Sequence, residues 1–335
     1  MTRSCTNSFE LIDLHPAPAD VAAAVRQGLQ RQPRQLPAWL LYDQQGSELF
    51  DAICRQPEYD LTRNEHQLLQ QQAGAIANWL PEGALVVEFG AGSAEKVSPL
   101  LEALTTPAYV AIDISAAHLR QAGERLQRRH PAIPMLGLCA DYSQPMPLPL
   151  PAALASRPRL GFFPGSSLGN FNPEEAIAFL QRVRQLLGSG AQLLIGIDQP
   201  RDPALLEAAY DDAAGISAAF ARNLLLRLQR DLQVQLDPDG FAYQARWEAR
   251  EQRIAMALVA KGKQPLQLDD LEVCFGSGEE LITEYSYKYA PADFLALAAK
   301  AGWQGRQHWS DAKGHFSVHL LHQGEDEQTA DDSAN

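Results

Sequence analysis

The stretch ALVVEFGAGSAEKVSP, residues 84–99, constrains the fold more than any other part of this chain. Leu85, Val86 and Val87 open it as a short continuous apolar run, the pattern of a buried strand. Glu88-Phe89-Gly90-Ala91-Gly92 follows at once, and a helical pattern begins near Glu95. Strand, glycine turn and helix start together form a cradle. The backbone can approach a ligand closely there, and free amides favour negative charge. Position 95, where a third glycine would complete the dinucleotide fingerprint, holds Glu. That counts against a pyrophosphate and fits S-adenosylmethionine, which presents a ribose and an amino-acid tail. A purely structural tight turn is the competing use of the same glycines.

Around this hub the chain alternates. Strands are expected at Leu85–Phe89, Tyr109–Ile112, Met135–Ala140, Leu160–Phe163 and Gln192–Ile197. Helices are expected at Glu95–Leu104, Ala116–Arg129 and Pro173–Leu187, the last with Asn172 as N-cap, proline at its first position and acids in its first turn. Alternation of this kind predicts an α/β fold with a mostly parallel sheet and ligands at the carboxyl ends of its strands. Upstream, a helix over Asp20–Arg31 follows a polar leader. Thr62-Arg63-Asn64-Glu65 reads as a capping box for a helix over Arg63–Trp79. Trp39, Tyr42, Phe50 and Tyr59 lie between them as an aromatic cap.

After Ile197 the pattern changes. A helical segment runs from Pro203 to about Leu232, interrupted at Gly215. Alternating strands follow at Phe241–Trp247, Arg253–Ala260, Leu271–Phe275 and Leu281–Tyr289, the signature of an inserted α+β lobe. Helix Ala292–Ala301 and strand Phe316–Leu321 return to the first domain as an antiparallel edge.

At 335 residues the chain is long enough for two lobes, and its net charge of −13 argues against nucleic acid or an anionic membrane as partner. Cys5, Cys54, Cys139 and Cys274 are scattered with no CxxC pair, so free thiols in a reducing, cytoplasmic setting are expected. No signal segment or membrane span is legible, a monomer is expected, and no metal site is. His315 and His319 have a ligand-like spacing, but both are assigned to a strand.

Several residues carry candidate chemistry. Asp113 ends the second strand about twenty residues after the glycine turn, placed to bind ribose hydroxyls or to cap a helix. Asp141-Tyr142 ends the third strand, where the acid can accept from an adenine amino group and the ring can cover it. Lys96 can attract a carboxylate or simply face solvent. In the loop FFPGSSLGNFNP, Asn170 offers both a donor and an acceptor at a strand's carboxyl end. Glu284 and Ser286 stand two apart in LITEYSYKY and so share one face, either as a receptor for an N–H-bearing ring or as a solvated face. Met256 and Tyr210 read first as core and helix-face residues.

The blocks LYDQQGSELFD with PEYDLTRNE, VVEFGAGSAEK, FPGSSLGNFNP, DPALLEAAYDDAAGISAAFARN and TEYSYK together resemble the S-adenosylmethionine-dependent histidine Nα-methyltransferases of ergothioneine biosynthesis. The resemblance implies a Rossmann-like class I methyltransferase domain (62–199 plus 287–322) and a histidine-binding α+β lobe (1–61 plus 200–286). By its composition, five acids and no basic residue, an acidic tail (323–335) is expected to be disordered. The resemblance implies S-adenosylmethionine contacts from Gly90, Gly92, Lys96, Asp113, Asp141 and Tyr142. It implies that Tyr59, Asn170, Tyr210, Glu284 and Ser286 hold histidine, with Tyr42, Phe50 and Met256 lining the site. Tyr42, Tyr59 and Asn170 are the candidates for catalysis, the tyrosines as proton carriers. The product implied is the trimethyl betaine hercynine. Two alternatives are a related enzyme acting on another amino acid or small amine, and a silent cofactor-binding partner subunit.

Overall fold

A computed structural model describes residues 9–14 and 18–324. Five strands and α-helices precede the alternating core: β1 (Glu10–Asp13), α1 (Pro18–Gln30), β2 (Arg34–Gln35), α2 (Gln44–Ile53) and α3 (Leu61–Ala77). The alternating core follows: β3 (Leu85–Phe89), α4 (Ser98–Ala103), β4 (Ala108–Asp113), α5 (Ala116–Arg129), β5 (Met135–Cys139), α6 (Ala152–Ala155), β6 (Arg159–Phe163), α7 (Pro173–Leu187) and β7 (Gln192–Asp198). Next come α8 (Pro203–Tyr210), α9 (Ile216–Leu232), β8 (Phe241–Glu248), β9 (Arg253–Ala260), β10 (Gln264–Leu268), β11 (Leu271–Phe275) and β12 (Glu280–Tyr287). The described chain closes with α10 (Pro291–Lys300), β13 (Trp303–Ser310) and β14 (Phe316–Gln323).

The large sheet has the order β1-β5-β4-β3-β6-β7-β14-β13. Its first six strands run parallel, and β14 joins β7 antiparallel. β3 is buried along its whole length. Leu85, Val87 and Phe89 join the apolar core on one face of the sheet, while Val86 joins the core on the other, as a period of two requires. Chain order reverses between β3 and β6, and such a switch point leaves a crevice at the strands' carboxyl ends. A smaller sheet, β2-β12-β9-β8, stands apart from this one. It draws β2 from the N-terminal segment, paired parallel to β12.

Four expectations need correction. β1, read as polar leader and placed with the substrate lobe, is the edge strand of the large sheet, where only its two middle residues are partly covered. β13 was not expected at all, because it is an edge strand whose residues after Trp303 are mostly exposed and show little apolar alternation. The capping box at Thr62 does not form. α3 starts at Leu61 with no side-chain cap, and Glu65 turns inward. α4 begins at Ser98, not Glu95, because residues up to Val97 belong to the turn and Ala94 takes a left-handed φ of 55°.

Other local signals hold. Asn172 and Glu175 form a reciprocal capping box on α7. The long helical segment breaks at Gly215, whose φ is 72°, and the Asp212 carboxylate accepts from the amides of Ile216 and Ser217 to start α9. The acidic tail lies outside the described residues apart from Gln323, which belongs to β14, and Gly324. Among the described residues no helix is long and apolar enough to cross a membrane.

Candidate active site

The glycine turn leaves β3 at the switch point. Gly90 and Gly92 have φ values of 71° and 51°. A methyl group on Gly90 would stand 3.1 Å from the Tyr142 hydroxyl, so glycine keeps open the gap through which a ligand meets the backbone. Asp113 ends β4. Its Oδ2 accepts from the Gly92 amide at 2.8 Å and its Oδ1 from the Ser115 amide at 3.0 Å. These two amides orient the carboxylate, which has about four lone-pair sites and so keeps capacity for a ribose. Ser115, not Asp113, is the N-cap of α5. Asp141 accepts from the Ser143 amide at 2.9 Å. Tyr142 packs edge-on against Phe89, Phe163 and Phe179.

Lys96 departs from its expected place. Its Nζ pairs with Glu65 Oε2 at 2.7 Å, and it is not part of the cavity lining. Burial alone would lower its pKa, but Glu65 outweighs that and holds the ammonium above its usual range. Glu65 also accepts from the Gly165 amide, so this one carboxylate ties α3 to two loops around the crevice.

The opposite wall depends on a close approach. A methyl group on Gly169 would lie 2.5 Å from the Tyr287 carbonyl oxygen. Glycine there lets β12 lie against the turn after β6, and the strand's polar face meets Asn170. Asn170 Nδ2 donates to Glu284 Oε1 at 2.7 Å. The Tyr210 hydroxyl and Ser286 Oγ lie 2.8 Å apart. Met256 stands opposite Glu284 in the β9–β12 register. Burial pushes the Glu284 carboxyl up to about 8, although Lys288 opposes this.

Aromatic rings form the third wall. Tyr42 sits edge-on to Phe50 at 5.5 Å and to Phe220 at 5.4 Å, and Tyr59 is edge-on to Tyr210 at 5.7 Å. Burial holds the Tyr42 and Tyr59 phenols well above their ordinary pKa. They are neutral hydroxyls at neutral pH, which narrows the expected proton-carrier role to accepting a hydrogen bond.

Every expected site residue except Lys96 lines one cavity of about 770 Å³. Phe220 lines it too and was missed, since one phenylalanine on a helix carries no signal of its own. Lys288, directly behind the lining, was also missed. The visible clue was its position two residues after Ser286, on the same strand face as Glu284. His319 is buried and stacks on His308 at 5.5 Å, while His315 precedes β14 and faces Asp60.

A reversed parallel sheet, a glycine turn with a strand-end acid at its switch point and an antiparallel β14 define a class I methyltransferase that uses S-adenosylmethionine. The sequence matches the family described as histidine-specific, S-adenosylmethionine-dependent methyltransferases over residues 21–323, and the chain belongs to that family. A histidine N-alpha-methyltransferase of Mycolicibacterium smegmatis is 37% identical over 306 residues, covering 88% of this chain and 92% of the relative. One of Mycobacterium tuberculosis is 36% identical over 302 residues, with the same coverage. Ergothioneine biosynthesis protein 1 of Neurospora crassa is 30% identical over 309 residues, covering 86% of this chain and 33% of the relative.

Proposed function

We propose that this cavity methylates the α-amino nitrogen of L-histidine up to the trimethyl betaine. The observation that carries the reading is the contact between Asn170 and Glu284, which brings a polar receptor strand to the cavity that holds Gly90 and Asp113. The names of the two mycobacterial relatives support the same substrate.

Bound S-adenosylmethionine supplies an electrophilic methyl group on a sulfonium sulfur. In this reading Gly90, Gly92, Asp113, Asp141 and Tyr142 bind it. Glu284 and Ser286 hold the imidazole. Asn170 and Tyr210 hold the amino-acid end, with Asn170 free to exchange Glu284 for the ligand.

Histidine's amine must be neutral to attack. A buried cavity disfavours the ammonium and lowers its pKa. Tyr42 and Tyr59, as neutral phenols, accept a hydrogen bond from an N–H and direct the lone pair. The nitrogen forms its bond to the methyl carbon as the carbon–sulfur bond breaks, and it sheds a proton to solvent before it can attack again; alignment of nitrogen, carbon and sulfur supplies most of the acceleration. The test is incubation with isotope-labelled cofactor and histidine, followed by mass spectrometry. Three added methyls are expected. No added methyl on histidine, with turnover of another amine, would replace the substrate assignment.

A further inference from the structure

Lys288 immediately follows β12 on the face that carries Glu284 and Ser286, and its side chain is wholly buried, at 0% exposure. Its ammonium meets Asp198 Oδ2 at 2.6 Å, the Tyr210 hydroxyl at 2.6 Å and Ser286 Oγ at 2.9 Å. Three neighbours match the three donors of an ammonium. Asp198 is held in turn by Arg201, which also reaches Asp60 at 3.0 Å. Burial alone would lower the lysine's pKa, but Asp198 outweighs it and keeps the group charged.

The consequence concerns hydroxyl direction. Both the Tyr210 and Ser286 oxygens accept from Lys288, and they lie 2.8 Å from each other. One hydroxyl proton makes the bond between them, so one proton is left for a ligand. Glu284 shares the strand face with Ser286 and accepts a ring N–H, so the ring's other nitrogen falls to Ser286. Either hydroxyl can supply the proton between them; it is assigned to Tyr210, which leaves Ser286 its own proton for the ring nitrogen, and with both lone pairs filled Ser286 Oγ can then only donate.

We propose that Lys288 is a positioning residue that makes Ser286 an obligate donor, so that this end of the cavity takes an unprotonated ring nitrogen and rejects a cationic side chain. The proposal rests on the reading that the cavity receives histidine. At Ser286 a side-chain ammonium would find both lone pairs filled and a buried ammonium beside them, a repulsive element of the kind that sets specificity.

The test is calorimetric binding of L-histidine and L-ornithine to the wild type and to Lys288→Met. The wild type is expected to prefer histidine, and the variant to lose at least about tenfold of that preference because Ser286 can now turn and accept. A merely structural role would weaken both ligands alike and leave their ratio unchanged, and that result overturns the proposal. If Lys288→Met does not fold because Asp198 is left short of a partner, the double variant Asp198→Asn/Lys288→Met removes both charges and carries the same comparison. A wild type that binds ornithine as well as histidine also overturns it. A wild type that binds no histidine at all overturns the functional reading itself.

Discussion

Asn170 and Glu284 are 114 residues apart in the chain, yet the Asn170 amide donates to the Glu284 carboxyl at 2.7 Å. The bond joins the loop after β6 to β12, and so joins the large sheet to the small one beside the cavity. Glu284→Ala removes the acceptor assigned to the imidazole N–H and leaves the Asn170 donor without its partner. Removing one partner of a buried hydrogen bond costs about 1–3 kcal/mol, or about 5- to 150-fold in affinity. Calorimetry should show histidine binding weakened by that factor while S-adenosylmethionine binding holds. Unchanged histidine affinity would remove Glu284 from the imidazole site.

Glu65 is a structural counterpart to that contact. Its carboxylate, 1% exposed, holds Lys96 and the Gly165 amide together. Breaking a buried pair by removing one partner leaves an uncompensated charge and costs about 3–5 kcal/mol. Lys96 retains some solvent access, so Glu65→Ala should fall near about 3 kcal/mol, at the lower end. Glu65→Gln keeps an acceptor for Gly165 and should cost less. Urea denaturation of both variants checks the order, and equal losses would assign no role to the Lys96 charge.

Two buried carboxyls set a pH dependence. Burial pushes Glu88 up to about 8 despite the hydrogen bond it accepts from Tyr109, and Glu284 is also raised to about 8. Their ordinary value is 4.5. Between 4.5 and about 8 the unfolded chain has released protons that the native state keeps, so stability must fall as pH rises through that window. The contribution is fully present below 4.5 and is lost above about 8. Thermal melting of the ligand-free protein should show Tm declining across this range. Glu88→Gln should make the decline shallower, and an unaltered slope would mean that Glu88 does not titrate there.

The parts of the fold legible in sequence are those where local chemistry and tertiary need agree. β3 is apolar throughout because both its faces are covered, and Gly90 and Gly92 have the left-handed φ values their residue type permits. Edge strands escape such reading: β1 and β13 owe their existence to neighbours, not to their own pattern. Thr62 to Glu65 looked like a local cap because nothing in four residues reveals that Lys96 and Gly165 compete for the glutamate. Lys96 was misplaced for the same reason, since it lies in the turn before α4 and its partner lies on α3. Lys288 was in plain view, but a lysine on an alternating strand is ordinarily read as solvent-facing, and only tertiary structure supplies Asp198.

The proposed addition of three methyl groups would make a further demand on the cavity. Each transfer removes an N–H donor from the substrate nitrogen and leaves it with a more lasting positive charge, so sites that act through hydrogen bonds alone lose their grip. The cluster of Tyr42, Phe50, Tyr59 and Phe220 offers ring faces that attract a cation whether or not it has protons. Each such contact is worth about 0.5–2 kcal/mol. Phe50→Leu keeps the apolar volume but removes a ring from the centre of this cluster, where Phe50 touches Tyr42, Tyr59 and Phe220. The first methylation, of an amine that still has hydrogens to donate, should slow little. The second and third should slow more, and mono- and dimethylated histidine should accumulate in a mass-resolved time course. Equal slowing of all three steps would mean that the rings only fill space.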